Sequence, residues 1–255
     1  MPFIQASFSS NALGHEVQAN VILPERGNVD APLLRVLWLL HGSGDDHTIW
    51  QRLTSIERYA APLGIAVVMP AVQRSYYTNM AHGQRYFDYV ADELPRLMRG
   101  FFHFSDRRED NFVAGLSMGG YGAFKLALTY PERYAAAASL SGALDIVALV
   151  ASRTQGANAS DEWIKFYTQI FGSLETLPNS ENDLLHLLKD SQKKQLPKLY
   201  ACCGTEDFLY ADNITFRDLA RQLGADLTYF EEAGEHEWGF WDCNIQKVLN
   251  WIPLQ

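Results

Sequence analysis

Long apolar runs are missing from this 255-residue chain. None approaches the roughly 20 residues that cross a bilayer, so a membrane protein is not expected. Cysteine is scarce as well. Three residues, with Cys202 and Cys203 adjacent, make no disulfide framework and are read as packing in a reducing compartment. Positive charge falls short of negative, with 21 basic against 30 acidic side chains, and the net charge of -9 suits neither nucleic acid nor an anionic membrane surface. The opening Met1-Pro2-Phe3-Ile4-Gln5 has no basic segment leading into an apolar stretch. No signal peptide is therefore expected, and the cytoplasm is the expected location. Ligand motifs are also lacking. There is no P-loop and no Gly-x-Gly-x-x-Gly, and Glu235-His236-Glu237 lacks the second histidine of a zinc helix. Asp45-Asp46-His47 reads as a solvated loop rather than a cation site. No cofactor and no metal are expected, and no repeat or low-complexity segment is evident.

What is present is a regular alternation. Short apolar or period-2 runs over 16–23, 35–40, 65–69, 111–116, 134–140, 198–203 and 226–230 read as strands. Helical spacing covers 49–61, 84–101, 118–128, 211–223 and 238–251, with Pro95 expected to bend the second of these. Strands alternating with helices predict an α/β fold with a mostly parallel sheet in a single domain. The pattern changes over about 142–196. No strand is evident there, Trp163, Phe166, Tyr167 and Phe171 sit at helical spacing, and a further helix-like run covers 181–193. This stretch is expected to be a helical, cap-like insertion over the carboxyl edge of the sheet, its aromatics serving mainly as core.

The chemistry centres on Val113-Ala114-Gly115-Leu116-Ser117-Met118-Gly119-Gly120. An apolar strand, a Gly-x-Ser-x-Gly turn and a small-residue helix start together have the form of a nucleophile elbow. Side chains two positions either side of the serine would collide with the neighbouring strand and helix, so glycine is required at 115 and 119. The helix after Ser117 aims free N–H groups at the place where an oxyanion would form.

A serine hydroxyl needs a base and a group to orient that base. In elbow enzymes the order along the chain is serine, acid, histidine. Only His186 and His236 follow Ser117. His186 lies in a helix-like run between leucines, where packing or surface is the expected role. His236 lies just past a strand, where ligand-facing loops occur, and is the expected base. Asp207, after the strand over 198–203, is the expected acid. Its neighbour Glu206 competes, and one of the pair must face elsewhere because adjacent side chains diverge; Asp145 and Asp212 are weaker candidates. The oxyanion donors are expected to be the N–H of Met118 and, in the loop His41-Gly42-Ser43-Gly44, that of Ser43, with Gly44 second. His41 is expected to be a structural hydrogen-bonding residue.

Several separated blocks resemble one family: Leu39-Leu40-His41-Gly42-Ser43-Gly44, Arg74-Ser75-Tyr76-Tyr77-Thr78-Asn79-Met80, Asp92-Glu93-Leu94-Pro95, Gly115 to Gly120, Ser141-Gly142-Ala143-Leu144-Asp145 and Gly204-Thr205-Glu206-Asp207-Phe208. Together they are similar to the tributyrin esterases of lactic acid bacteria, within the wider esterase D and S-formylglutathione hydrolase group of α/β-hydrolases. The resemblance implies an α/β-hydrolase fold and hydrolysis of short-chain acyl esters of small molecules. It places Ser117, Asp207 and His236 at the triad positions and Ser43 and Met118 at the oxyanion positions, with Gly42, Gly44, Trp50, Tyr77 and Asn79 against the substrate. Ser43 stands where that family often carries an apolar residue, and the insertion matches only in patches. A thioesterase acting on S-formylglutathione, an acyltransferase and a binding protein that has lost the reaction remain open alternatives. Association into a homo-oligomer is left open.

Overall fold

Each strand of the parallel core sends alternate side chains to opposite faces, and both faces are covered. The computed structural model describes residues 1–25, 32–156, 159–191 and 194–254. The stretch 25–32, which the sequence reads as a turn after Pro24, lies largely outside them, as does the end of the helix expected over 181–193. The strands are β1 Phe3–Ser10, β2 His15–Ile22, β3 Val36–Leu40, β4 Ala66–Pro70, β5 Asn111–Leu116, β6 Ala136–Leu140, β7 Lys198–Gly204 and β8 Leu227–Glu232. They form one sheet in the order β1-β2-β4-β3-β5-β6-β7-β8. The pairs β1–β2 and β2–β4 are antiparallel and the remainder parallel.

The helices are α1 Ile49–Leu53, α2 Ile56–Ala60, α3 Tyr86–Asp88, α4 Leu94–Phe101, α5 Met118–Thr129, α6 Ile146–Thr154, α7 Asp161–Phe171, α8 Leu184–Asp190, α9 Tyr210–Gln222 and α10 Trp238–Trp251. On one face, Leu37, Leu39, Val67 and Ala114 of the sheet pack with Trp50, Ile56, Trp241 and Val248 of α1, α2 and α10. On the other, Val36, Trp38, Val68 and Val113 pack with residues of α4, α5 and α9, including Met98, Phe124 and Phe216.

Three expectations are corrected by the structure. The helix over 49–61 is two helices, because Thr54 adopts an extended backbone and its hydroxyl donates to Trp50 O while accepting from Ile56 N–H. Trp50 O also accepts from Thr54 N–H (3.1 Å), so the hydroxyl shares that carbonyl and supplies the freed N–H of Ile56 with an acceptor, which offers the chain an alternative to continuing the helix. The helix over 84–101 is interrupted by a π turn at Tyr89–Glu93. Pro95 has no N–H for the carbonyl of Ala91 four residues earlier, and Arg133 Nη1 donates to that oxygen instead, at 2.8 Å. Finally, β1 was not foreseen. It is an edge strand whose first residues are largely exposed, so its polar content hides it. Buried Glu93 holds the turn that follows it, accepting from the N–H groups of Asn11 (2.7 Å) and Ala12 (3.1 Å).

Between β6 and β7 the described residues contain helices and no strand. The helices α6, α7 and α8 are capped by Asp145, Ser160 and Asp183, whose side chains accept from first-turn amides. The insertion is tied down at Asn182. Its carbonyl accepts from Tyr121 Oη (2.8 Å) and its Oδ1 accepts from Lys125 Nζ (2.6 Å). Lys125 is buried, also donates to Thr78 Oγ1 (3.0 Å), and is pushed down to about 7 by loss of solvent. At the other end α7 packs its aromatics around Tyr76, on the loop after β4, with Phe166, Tyr167 and Phe171 ring centroids 5.8 to 6.4 Å away. That contact brings the insertion to the carboxyl edge.

Candidate active site

The carboxyl ends of β3, β5, β7 and β8 present the loops that carry the candidate residues, which is where open α/β sheets place ligands. Ser117 follows β5 at φ +52° and ψ −118°, a conformation costly for a residue with a Cβ. The corner is held by Ser117 N–H to Leu140 O (2.9 Å) and by the amides of Tyr121 (3.1 Å) and Ala143 (3.3 Å) donating to Ser117 O. A Cβ on Gly115 would lie 2.4 Å from the backbone of Gly119, and one on Gly119 would lie 2.5 Å from Leu40 O. Both glycines therefore answer to close backbone approach, as the sequence implies.

His236 lies between the serine and the acid. Its Nε2 is 3.0 Å from Ser117 Oγ and its Nδ1 is 2.8 Å from Asp207 Oδ2. The Asp207 side chain is fully buried, and its Oδ1 accepts from Leu209 N–H at 2.8 Å. Nδ1–H thus donates to the carboxylate and Nε2 is left to accept from the serine hydroxyl. Of the adjacent pair it is Glu206 that points elsewhere. Its Oε2 accepts from Gly234 N–H (2.6 Å), and its own amide donates to Gly234 O (3.1 Å), which pins the loop carrying His236. The amide of Gly234 and, after it, the Thr205 side chain hold the Glu206 carboxyl below the usual range.

The remaining acids and histidines fall into other roles. Asp145 caps α6, with its Oδ1 accepting from Ala148 N–H at 3.0 Å. Asp212 sits in the first turn of α9, pushed up to about 7 by burial and, after that, by the charges of Asp145 and Asp207. His186 pairs with Asp190 at 3.2 Å on α8.

Met118 is the first residue of α5, so its N–H has no acceptor within the helix. Ser43 is exposed on the loop after β3, its hydroxyl accepting from Arg74 Nε at 3.3 Å. Gly42 is buried, donates to Asp45 Oδ2 (3.2 Å) and accepts from His41, while Gly44 is exposed at φ +90°. Burial is the leading reason the Asp45 carboxyl is raised. Trp50, Tyr77 and Asn79 are placed otherwise than expected. Trp50 is 1% exposed and donates its Nε1–H to Leu40 O (3.0 Å), and Tyr77 is 0% exposed with its hydroxyl donating to His41 O (2.9 Å). Asn79 is spent on Asp88, donating to its carboxylate (2.9 Å) and accepting from its amide (3.1 Å). Neither ring has surface to offer a ligand, and both support the loop from beneath. Two aromatic neighbours of the site were missed. The rings of Phe208 and Trp241 lie 4.6 and 4.9 Å from that of His236. Phe208 directly follows the acid, and that adjacency was the available signal. Among the described residues no group of three or more His, Cys, Asp or Glu is placed to hold a metal ion, and no helix is long and apolar enough to cross a membrane.

His41 is structural. Its Nδ1–H donates to Gly42 O (2.8 Å) and its Nε2 accepts from Val72 N–H (3.0 Å), so only the neutral ring fits. Burial pushes it down to about 4. Unfolded, the ring would take its proton near the ordinary value of about 6.5. The unfolded chain therefore binds more protons between those limits, and stability should fall by about 3 kcal/mol as pH drops from 6.5 to 4. Urea midpoints across this range would show the loss, with a shallower slope for His41→Gln.

The model of the Esterase family matches residues 10–252, and the chain belongs to that family. It is a carboxylic ester hydrolase of the α/β-hydrolase fold. An acetyl esterase from Caldicellulosiruptor saccharolyticus is 30% identical over 262 residues, spanning 99% of this chain and 98% of that protein. The substrate-bound structure of fluorophosphonate-binding serine hydrolase F from Staphylococcus aureus covers 100% of this chain, with 98% of its own length matched, at 36% identity and a TM-score of 0.90. The apoenzyme structure of S-formylglutathione hydrolase from Staphylococcus aureus covers 100% of this chain, with 99% of its own length matched, at 36% identity and a TM-score of 0.87.

Proposed function

We propose that the chain is a cytoplasmic serine carboxylesterase acting on short-chain acyl esters, of the tributyrin and p-nitrophenyl acetate or butyrate kind. Ser117 is the nucleophile, His236 the base, and Asp207 the group that orients and steadies the imidazole. The observation that carries the reading is the unbroken chain from Ser117 Oγ through His236 to buried Asp207. In the first step Ser117 Oγ bonds to the acyl carbon and gives its proton to His236 Nε2. The ester bond then breaks, and the departing oxygen takes that proton. Water, deprotonated by the same nitrogen, attacks the acyl carbon; the bond from that carbon to Ser117 Oγ then breaks, Oγ takes the proton back from Nε2, and the acid leaves. The N–H groups of Met118 and Ser43 hold the negative oxygen that forms in both halves. Three free cysteines, two of them buried, agree with a reducing compartment.

A second reading keeps the triad and replaces the ester by a thioester. It is favoured by the likeness to a structure described as S-formylglutathione hydrolase. The test is a side-by-side assay of p-nitrophenyl acetate, p-nitrophenyl butyrate, tributyrin and S-formylglutathione. Faster kcat/KM on the oxygen esters is expected. A preference for the thioester of a hundredfold or more would replace the first reading by the second, and no turnover of any of the four would reject both.

A further inference from the structure

Two guanidinium groups stand at the mouth of this site, and the steps above do not use them. Arg74, on the loop after β4, donates from Nε to Ser43 Oγ, and its Cζ lies 4.2 Å from the ring centroid of Phe166. Arg153, near the end of α6, has its Cζ 4.4 Å from the ring of Trp163 and 5.6 Å from that of Phe208. Trp163 and Phe166 are neighbours on α7, their centroids 5.7 Å apart. Both cations act electrostatically on the same two phenols, Tyr76 and Tyr167, so they share one patch. Among the described residues neither forms an ion pair with a carboxylate.

We propose that this pair recognises a carboxylate on the departing alcohol or thiol, so that the enzyme prefers acyl esters and thioesters whose leaving group is an anion. The inference rests on the esterase reading above and narrows its substrate class.

Placement on the leaving-group side follows from the proton's path. The departing atom must sit against His236 Nε2 to receive the proton. Phe208 flanks that imidazole at 4.6 Å, and Arg153 lies over Phe208. A carboxylate about one aromatic ring away from the departing oxygen would thus meet a guanidinium. A chain of net charge -9 repels anions at long range, so an anionic substrate requires local positive charge. Guanidinium groups stacked on aromatic faces are weakly hydrated and held in place, and their N–H forks match a carboxylate.

The test compares two acetate esters of similar size, 4-acetoxybenzoate, with an anionic leaving group, and 4-acetoxybenzamide, with a neutral one. The readout is the ratio of their kcat/KM values in the wild type and in Arg153→Gln. Dividing by the neutral ester removes any general loss of fold or chemistry. The ratio is expected to fall by about tenfold in the variant, mainly through KM, and to be partly restored in Arg153→Lys. Raising the salt concentration should narrow the wild-type ratio in the same direction. Arg74→Gln provides a second variant and should also lower it. A ratio that does not change in either variant, because both esters slow together or neither does, overturns the proposal and leaves the esterase reading standing. Absence of turnover of both esters by the wild type overturns the esterase reading, and this proposal with it.

Discussion

Replacing Ser117 with alanine is expected to lower kcat on p-nitrophenyl acetate by about 10⁴- to 10⁶-fold, with little change in the melting temperature. The two effects separate because the hydroxyl and the backbone at this residue have different work. Among the described residues Ser117 Oγ hydrogen-bonds to His236 Nε2, at 3.0 Å, whereas the strained corner is held by bonds from and to the main chain, which alanine keeps. Alanine is no more comfortable than serine at φ +52°, so the strain is neither relieved nor increased. What is lost is the atom that, in the proposed mechanism, bonds to the acyl carbon. On the same proposal, water can still be activated by His236 beside the oxyanion donors, which would account for a small residual rate. Steady-state kinetics, labelling with a fluorophosphonate probe and a thermal melt decide the matter together. A folded variant that keeps more than about a hundredth of the activity, or still takes up the label, would remove Ser117 from the chemistry.

The parts of the site that sequence reasoning reached are those whose requirements are local. Gly115 and Gly119 are demanded by two close backbone approaches on either side of one residue, and that demand is written into five consecutive positions. Asp207 and His236 each follow the end of a parallel strand, so an apolar run before each was enough to place it at the same edge as Ser117. The parts that escaped depend on distant chain. Trp50 and Tyr77 flank the right loop, yet each spends its polar atom on a main-chain carbonyl of β3 or of His41, and only the three-dimensional path shows it. Arg74 and Arg153 are ordinary surface cations in sequence. They become neighbours because α7, inside an insertion of weak pattern, brings Trp163 and Phe166 beneath them. The break at Thr54 and the π turn before Pro95 were hidden for a similar reason, since hydrophobic spacing survives across both while the hydrogen bonds that decide them involve single side chains.

The second large effect is expected at Asp207. Asparagine there should lower kcat by about 10⁴-fold, although it is nearly the same size and the site is fully packed. Two fixed donors face the carboxylate, Leu209 N–H at 2.8 Å from Oδ1 and His236 Nδ1–H at 2.8 Å from Oδ2. A carboxylate accepts from both, but an amide offers one acceptor and one donor. The backbone N–H of Leu209 cannot change, so the amide oxygen must turn toward it and the amide NH₂ toward the imidazole. The ring then presents a bare Nδ1 to that NH₂ and carries its proton on Nε2. Nε2–H faces Ser117 Oγ as a donor and cannot take the serine proton. The loss therefore arises from the wrong tautomer rather than from a missing contact, and the melting temperature should move far less than the rate. A kinetic comparison of wild type and Asp207→Asn, with the rate of fluorophosphonate labelling measured alongside, checks this. If the variant stays within tenfold of wild type on both measures, Asp207 does not set the state of His236, and one of the neighbouring carboxylates must be sought in its place.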